Sequence, residues 1–216
     1  MARENELHAA TAWPDALSRS EQDTQDAVAV VHALKDTRRV LESHVALAVW
    51  KRELPSSLLH LIDRIDLNGV DDVDVMMEVA GPISTLAASL LAGGYPEDAA
   101  MRFADDMLRM ARQLASFAGA KQVRMRLEVV ETDACRKFHA DYVTLRLLTT
   151  YRGPATQWFR TASPEVVKQV ERGEVAVLKG RLLMTEPTIL HRSPPIEATG
   201  ERRLLLTIDP PRENAA

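Results

Sequence analysis

The residues best suited to chemistry lie in the second half of the chain, in the segment CRKFHADYVTLRLLTTYRGPATQW that begins at Cys135. His139 and Asp141 form a His-x-Asp pair there, and His191 follows fifty positions later within HRSPP. On a strand, residues two apart share a face and lie roughly 6.6 Å apart, so the pair can close on one cation. Two imidazoles and one carboxylate suit Fe(II). The alternative is three unrelated polar residues in a β-rich domain.

Cys135 adds a zinc alternative for the same segment. Zinc accepts cysteine, histidine and aspartate, and a thiolate favours zinc over harder metals. In a regular strand, however, Cys135 would lie roughly 13 Å from His139, so only a turn would bring the thiol to the same ion. As the only cysteine, Cys135 cannot form an intrachain disulfide, and free cysteines are more often buried apolar residues than ligands.

Arg202 and Arg203 stand eleven and twelve positions after His191, at the start of the predicted strand RRLLLTID. A guanidinium there could bind a carboxylate bidentately inside the mouth of a barrel. Successive side chains of a strand point to opposite faces, so only one of the two can face inward. The alternative is that both are surface charges beside an apolar strand.

The first half of the chain is predicted to be mainly helical. Apolar residues recur there at helical spacing, and Pro55 suits the first turn of a helix, where its missing N–H is not needed. The segment from Val45 to Leu54 instead favours a short strand, because it is rich in β-branched and aromatic residues. The predicted helices run from Gln25 to Val40, from Pro55 to the turn at Asn68-Gly69, from Val73 to Leu91 with a kink or break at Gly81-Pro82, and from Pro96 to Phe117.

After Gly119 the apolar period changes from about 3.6 to 2, which is typical of strands with one polar face. The predicted elements are strands from Val123 to Val129 and from Val143 to Tyr151, a short helix from Pro164 to Arg172, and strands in GEVAVLKGRLL, TIL and RRLLLTID. The predicted fold class is therefore α+β. It comprises a flexible arm over 1–24, a mainly helical region over 25–120 and a β-rich core over 121–212, within one integrated domain.

Composition excludes several classes of protein. The chain has 216 residues, 46% of them hydrophobic, which is enough for a sizeable core. No apolar run approaches the roughly 20 residues of a membrane helix, and the N-terminus lacks an apolar signal core, so we expect a cytoplasmic protein. A net charge of −4 argues against bulk binding of nucleic acid or anionic membrane. The sequence contains no phosphate-binding glycine loop and no nucleophile elbow.

The order of the motifs resembles that of the iron(II)- and 2-oxoglutarate-dependent oxygenases, whose core is a double-stranded β-helix, a cupin-like jelly roll. The motifs are HxD, TTY followed by Gly-Pro-x-Thr, GEVxVLKGR, HRSPP and GERRLLLTID. The resemblance implies that His139, Asp141 and His191 bind iron. It also implies that the helical half packs against the jelly roll and that the metal lies in its mouth.

The same resemblance implies a co-substrate site. In that superfamily an arginine or lysine after the distal histidine holds the far carboxylate of 2-oxoglutarate, which implies Arg202 here, with Arg203 as the next choice. Thr149 and Tyr151 become candidate hydrogen-bond donors to the co-substrate. The implied activity is hydroxylation or demethylation of a substrate that the sequence does not identify.

A narrower resemblance covers about Val45 to Pro211. FHADYVTLRLLTTYRGPATQW and LHRSPPIEATGERRLLLTIDPP are similar to a bacterial family catalogued as domain of unknown function 1826. That family brings no established activity and is associated with zinc-responsive gene neighbourhoods. It therefore implies a second function, a non-catalytic cupin-like metal-binding protein linked to zinc homeostasis.

Overall fold

A computed structural model describes residues 27–211, which form ten strands, three α-helices and one 3-10 helix. The predicted arm over 1–24 lies outside the described residues. The helices are α1 (Ser56–Arg64), α2 (Ile83–Ala92) and α3 (Glu97–Ala118), and the 3-10 helix is Leu34–Leu41. The strands are β1 (Val28–Val31), β2 (Leu47–Trp50), β3 (Val73–Glu78), β4 (Gln122–Val130), β5 (Leu145–Arg152), β6 (Gln157–Arg160), β7 (Ser163–Gln169), β8 (Val175–Lys179), β9 (Ile189–Arg192) and β10 (Arg203–Asp209).

The strands form a large sheet and a small sheet. The large sheet has the order β1-β2-β8-β5-β10-β4-β3, and the small sheet has the order β7-β6-β9. His139 extends the small sheet beyond β9 through an isolated antiparallel bridge to His191. From β4 onward the chain passes repeatedly between the sheets, because β4, β5, β8 and β10 lie in the large one and His139, β6, β7 and β9 in the small one. This alternation is the topology of a jelly roll.

Helix α3 covers the outer face of the large sheet. It begins after Pro96 with two acidic residues in its first turn and ends at Gly119, whose φ of 66° is the left-handed conformation that favours glycine. Met107 and Met110 of this helix share one buried core with Met125 of β4. None of the helices within residues 27–211 has the length and apolar composition needed to cross a membrane.

The inner face of the large sheet packs on the small sheet over a second apolar cluster. Leu148 of β5 and Trp158 of β6 are both buried there. The same inner face carries the charged residues that alternate with the apolar ones along β4. Both faces of the large sheet are therefore covered over its central strands, where Arg126 of β4 points between the sheets, while Arg124 nearer the start of β4 is exposed.

The predicted mainly helical first half is not confirmed, because β1, β2 and β3 all join the large sheet. The helix predicted from Gln25 to Val40 is wrong over Val28–Val31, where three valines form a strand that pairs in parallel with β2. The helix predicted from Val73 to Leu91 is wrong over Val73–Glu78, which pairs antiparallel with β4. Only the part after Gly81-Pro82 is helical.

The helix predicted from Pro164 to Arg172 is also wrong, since Ser163–Gln169 forms β7 and pairs with β6 as a hairpin. Helices this short are marginal, whereas the adjacent valines at 166 and 167 favour extended backbone. The other predicted elements are confirmed with shifts at their ends, namely α1, α3, β2, β4, β5, β8, β9 and β10.

Candidate metal centre

His139, Asp141 and His191 lie together at one end of the space between the sheets. Among the described residues they are the group whose candidate ligand atoms all fall within 4.8 Å of one another. His191 Nε2 is 3.1 Å from Asp141 Oδ2, and His139 Nε2 is 3.7 Å from Asp141 Oδ1. The three side chains that the sequence singled out are thus close enough to bind one ion.

The backbone brings them together differently from the sequence-based expectation. His139 makes only the single bridge to His191, and Asp141 lies in the turn before β5 instead of on a strand with His139. The segment after β8 holds this turn in place, because Arg181 N donates a hydrogen bond to the Asp141 carbonyl at 2.8 Å. In the His-x-Asp pair, His139 is therefore held by its bridge to His191, and Asp141 is held by the hydrogen bond from Arg181.

The surrounding protein fixes the state of two candidate ligands, His139 and Asp141, whereas His191 Nδ1 is buried without a hydrogen-bond partner among the described residues. His139 Nδ1 lies 2.8 Å from the Lys137 carbonyl oxygen, which favours the tautomer with the proton on Nδ1 and a free lone pair on Nε2. Burial alone would raise the pKa of Asp141, but the hydrogen bond from His191 and the charge of Arg146 lower it to about 2. Asp141 is consequently an anion at physiological pH.

Arg203 is a fully buried cation beside this centre. Its guanidinium donates to the Pro154 carbonyl at 2.5 Å, to Thr156 Oγ1 at 3.1 Å and to Thr150 Oγ1 at 3.3 Å, and also to the Ser193 hydroxyl. All four acceptors are neutral, and none of the ion pairs formed by the described residues involves Arg203. Burial accordingly lowers the pKa of Arg203 to about 10.

Arg202 points away from the centre. Its guanidinium donates to the Leu67 carbonyl at 2.9 Å and pairs with Glu131 at 2.7 Å. The cause is strand alternation, since Leu204, Leu206 and Ile208 face the helices while Arg203, Thr207 and Asp209 face the small sheet. Arg202, the first choice for the co-substrate anchor, therefore points away from the centre. Arg203, the second choice, lies on the inner face of the sheet.

Tyr151 and Thr149 also differ from their predicted positions. The Tyr151 hydroxyl donates to Asp106 Oδ2 of α3 at 2.8 Å, so it lies on the helix side of the large sheet. Thr149 lies two residues before it, is fully buried, and its hydroxyl has no hydrogen-bond partner among the described residues. Thr150, between them, is the residue that contacts Arg203. On β5 it is therefore Thr150, and not the predicted Thr149 or Tyr151, that contacts Arg203.

Cys135 lies outside the cluster. Its side chain is exposed, so the interpretation as a buried apolar residue is wrong. It lines the same pocket as His139 and His191, and its carbonyl accepts a hydrogen bond from Ser193 N at 3.0 Å. Its thiol is not among the candidate ligand atoms that converge on Asp141.

A cavity of about 400 Å³ opens between the sheets beside the three candidate ligands. Its walls include Thr156 and Ser193, two of the residues that accept hydrogen bonds from Arg203. Arg126 and Arg146 also line it, and both pair with Asp209, the last residue of β10. Sequence reasoning missed this ionic group, whose members lie on the three neighbouring strands β4, β5 and β10.

The fold and the cluster define the chain as a jelly-roll protein of the double-stranded β-helix class with a candidate His-Asp-His metal site. Residues 32–209 match the family model described as a protein of unknown function, DUF1826, and the chain belongs to that family. A comparison with curated proteins finds no match.

Solved dioxygenase structures are similar to the chain. The rice dioxygenase for auxin oxidation is 13% identical, with a TM-score of 0.50, over 87% of this chain and 84% of the rice chain. A Pseudomonas putida prolyl-4-hydroxylase is 15% identical, with a TM-score of 0.45, over 84% of this chain and 100% of its own. The Arabidopsis thaliana dioxygenase for auxin oxidation 1, solved with 2-oxoglutarate, is 12% identical, with a TM-score of 0.46, over 87% of this chain and 94% of its own. The rice structure shows that the chain shares its fold with a dioxygenase.

Proposed function

We propose that this protein is an Fe(II)- and 2-oxoglutarate-dependent oxygenase that hydroxylates or demethylates an organic substrate. The observation that carries the proposal is Arg203, a buried guanidinium whose described partners are all neutral oxygens. Leaving a buried charge without its counter-ion costs about 3–5 kcal/mol. A bound anion would remove that cost, and a carboxylate matches the geometry of a guanidinium.

The anion has to fit the same pocket as the metal centre. Thr156 and Ser193 connect Arg203 with the cavity that His139 and His191 line. A small dicarboxylate can present one end to a metal and the other to an arginine, and 2-oxoglutarate is the dicarboxylate that the sequence resemblance implies. The fold shared with the rice dioxygenase supports a scaffold of this class. The proposed oxygenase chemistry is supported by the three candidate ligands and by Arg203.

The residues present fit an iron site. His139, Asp141 and His191 would hold the ion, since two imidazoles and a carboxylate are a ligand set of non-haem Fe(II) oxygenases that leaves positions for other ligands. With O2 as the oxidant, iron and 2-oxoglutarate would supply the chemistry that inserts one oxygen atom into a C–H bond, while the other oxygen atom enters succinate as 2-oxoglutarate loses CO2. The chain itself keeps Asp141 ionised, orients His139 through the Lys137 carbonyl and binds the distal carboxylate through Arg203.

The test is conversion of 2-oxoglutarate. Protein loaded with Fe(II) under anaerobic conditions is given 2-oxoglutarate and oxygen, and succinate is quantified over long incubations because turnover without the true substrate is slow. We expect succinate from the wild-type protein and none above background from Arg203→Met with an equal iron content. Equal succinate from both proteins would remove Arg203 from the site, and absence of 2-oxoglutarate binding to the iron-loaded wild type would contradict the proposed function.

A zinc-binding protein without turnover is the second candidate. The observation that favours it is the ligand set itself, because zinc also binds two histidines and one carboxylate. That candidate assigns no role to the buried charge of Arg203. Zinc retained through purification, together with no effect of Arg203→Met on any ligand affinity, would support it.

A further inference from the structure

Arg146 lies between a candidate metal ligand and a second buried carboxylate. Its Nη1 is 2.6 Å from Asp141 Oδ1. Its Nε and Nη2 donate to Asp209 Oδ1 and Oδ2 at 2.8 and 2.7 Å, a bidentate pair. The side chains of Arg146, Asp209 and Asp141 are only 18%, 13% and 15% exposed. The arginine therefore uses two edges of its planar group on two different carboxylates.

Asp209 fixes the direction in which Arg146 points. It ends β10 and faces Arg146 of the neighbouring strand β5, while Arg126 of β4 lies 3.3 Å from its Oδ2. A bidentate pair restrains the plane of the guanidinium as well as its position. With that edge held by Asp209, Nη1 is directed at Asp141.

The two oxygens of Asp141 consequently have different surroundings. Oδ1 accepts the contact from Arg146 and also lies 3.7 Å from His139 Nε2, whereas Oδ2 is buried and lies 3.1 Å from His191 Nε2. An oxygen that already accepts a charge-assisted hydrogen bond is a poorer metal ligand than its free neighbour. The carboxylate thus has one oxygen held by Arg146 and one oxygen, beside His191, that is free to bind a metal.

We propose that Arg146, held by Asp209, is a positioning residue that makes Asp141 a ligand through one oxygen only and so keeps a coordination position open for other ligands. This inference rests on the proposed function only in placing a divalent metal on His139, Asp141 and His191. Outer partners of ligating carboxylates commonly set metal affinity in this way. A role in stability alone would leave the metal site unchanged when the pair is replaced.

The test measures binding of Co(II) alone, without 2-oxoglutarate or oxygen. Affinity and the visible absorption spectrum of the bound ion are compared for the wild type, Arg146→Gln, Asp209→Asn and the double variant. We expect Arg146→Gln to weaken Co(II) binding by about 10- to 100-fold, the range typical of lost outer partners, and to change the spectrum. Asp209→Asn should act in the same direction, and the double variant should be no weaker than Arg146→Gln, because Asp209 acts through Arg146.

Arg124→Gln is the matched control, since Arg124 pairs with Asp74 on the exposed part of the large sheet and should leave Co(II) binding unchanged. If Arg146→Gln does not fold, the double variant replaces it, because it removes both charges and is expected to show the same loss of affinity. Wild-type affinity and spectrum in the folded Arg146 variants would overturn the inference and leave the proposed function standing. Failure of the wild type to bind Co(II) would overturn both.

Discussion

The main chains of His139 and His191 are hydrogen-bonded to each other in both directions, with N···O distances of 3.0 and 2.9 Å. Directly opposite residues of an antiparallel pair present their side chains on the same face, and the two imidazole centroids are 4.8 Å apart. Backbone pairing, instead of the reach of long side chains, therefore sets the distance between the two nitrogen ligands. This rigidity is what a preorganised metal site requires.

Replacing His191 by alanine should remove tight metal binding. The backbone pair can still form, but one of three ligands is lost, so we expect a fall in affinity larger than the roughly 10- to 100-fold effect of losing an outer partner. Equilibrium dialysis with Fe(II) and, separately, Zn(II) measures it. Cys135→Ser is the control and should bind as the wild type does, whereas a sharp loss in that variant would place the thiol in the site.

Arg203 and Arg202 should differ in their effect on 2-oxoglutarate. Arg203→Met should weaken its binding by about 10-fold or more, since a hydrogen bond to a charged group contributes about 1.5–3 kcal/mol. Arg202→Met is the matched control and should have no effect, because Arg202 does not line the cavity and its guanidinium is already paired with Glu131 and the Leu67 carbonyl. Calorimetric titration of the metal-loaded variants provides the comparison, and an equal loss in both would contradict the assignment.

Most of the site was predictable from residue types, and the errors concern which face of a strand a residue occupies. The two histidines and Asp141 follow from the ligand chemistry and motif order alone. Arg203 was only the second choice after Arg202, and Thr149 was named instead of Thr150, although the apolar alternation Leu204, Leu206, Ile208 marks the face of β10 opposite to Arg203. A shift of one position moves a residue to the other face of a strand. The face of each polar residue therefore has to be assigned by counting from the buried apolar residues of the same strand.

The fold was less predictable where local pattern and tertiary pairing disagree. β3 carries Val73, Val75 and Met77 on one face, but its role as an edge strand depends on β4, which lies far along the chain. β7 is exposed along most of its length and so carries no pattern of burial. Helix α3, in contrast, has a proline before its start, a glycine after its end and a long apolar stripe, and local sequence was sufficient there.

Asp106 lies on the helix side of the large sheet and should contribute to the free energy of unfolding in a pH-dependent way. It pairs with Arg52 at 2.6 Å, and both side chains are only 5% exposed. Although burial opposes it, hydrogen bonding and the charge of Arg52 lower the pKa of Asp106 below its usual value. Its stabilisation is therefore present above the unfolded-state pKa of about 3.9 and is lost as pH falls through the lower folded-state pKa.

We expect Asp106→Asn to cost about 3 kcal/mol of unfolding free energy at pH 7, because it leaves Arg52 buried without its counter-ion. The difference from the wild type should shrink as pH falls below about 4. Urea unfolding at several pH values measures both effects. Asp74→Asn removes an exposed pair and should cost at most about 1 kcal/mol. A constant difference across the pH range would contradict this explanation.

Gly153 should be intolerant of a side chain for two reasons. Its φ is 83°, and an added Cβ would overlap the Arg202 carbonyl oxygen and lie 3.0 Å from Arg203 Cα. Gly119 shares the positive φ, but an added Cβ there meets no atom within 4 Å. Gly119→Ala should therefore cost only the left-handed strain of about 1–2 kcal/mol. Gly153→Ala should cost more and also weaken 2-oxoglutarate binding through Arg203, and equal costs in urea unfolding would contradict this.

The central claim is that the metal centre and Arg203 together bind 2-oxoglutarate. The most direct measurement is the visible absorption spectrum of the wild-type protein with Fe(II) under anaerobic conditions, recorded before and after 2-oxoglutarate is added. We predict a new charge-transfer band with the wild type that saturates with 2-oxoglutarate, and its loss at the same 2-oxoglutarate concentration in Arg203→Met. An Fe(II) protein whose spectrum 2-oxoglutarate leaves unchanged would contradict the account.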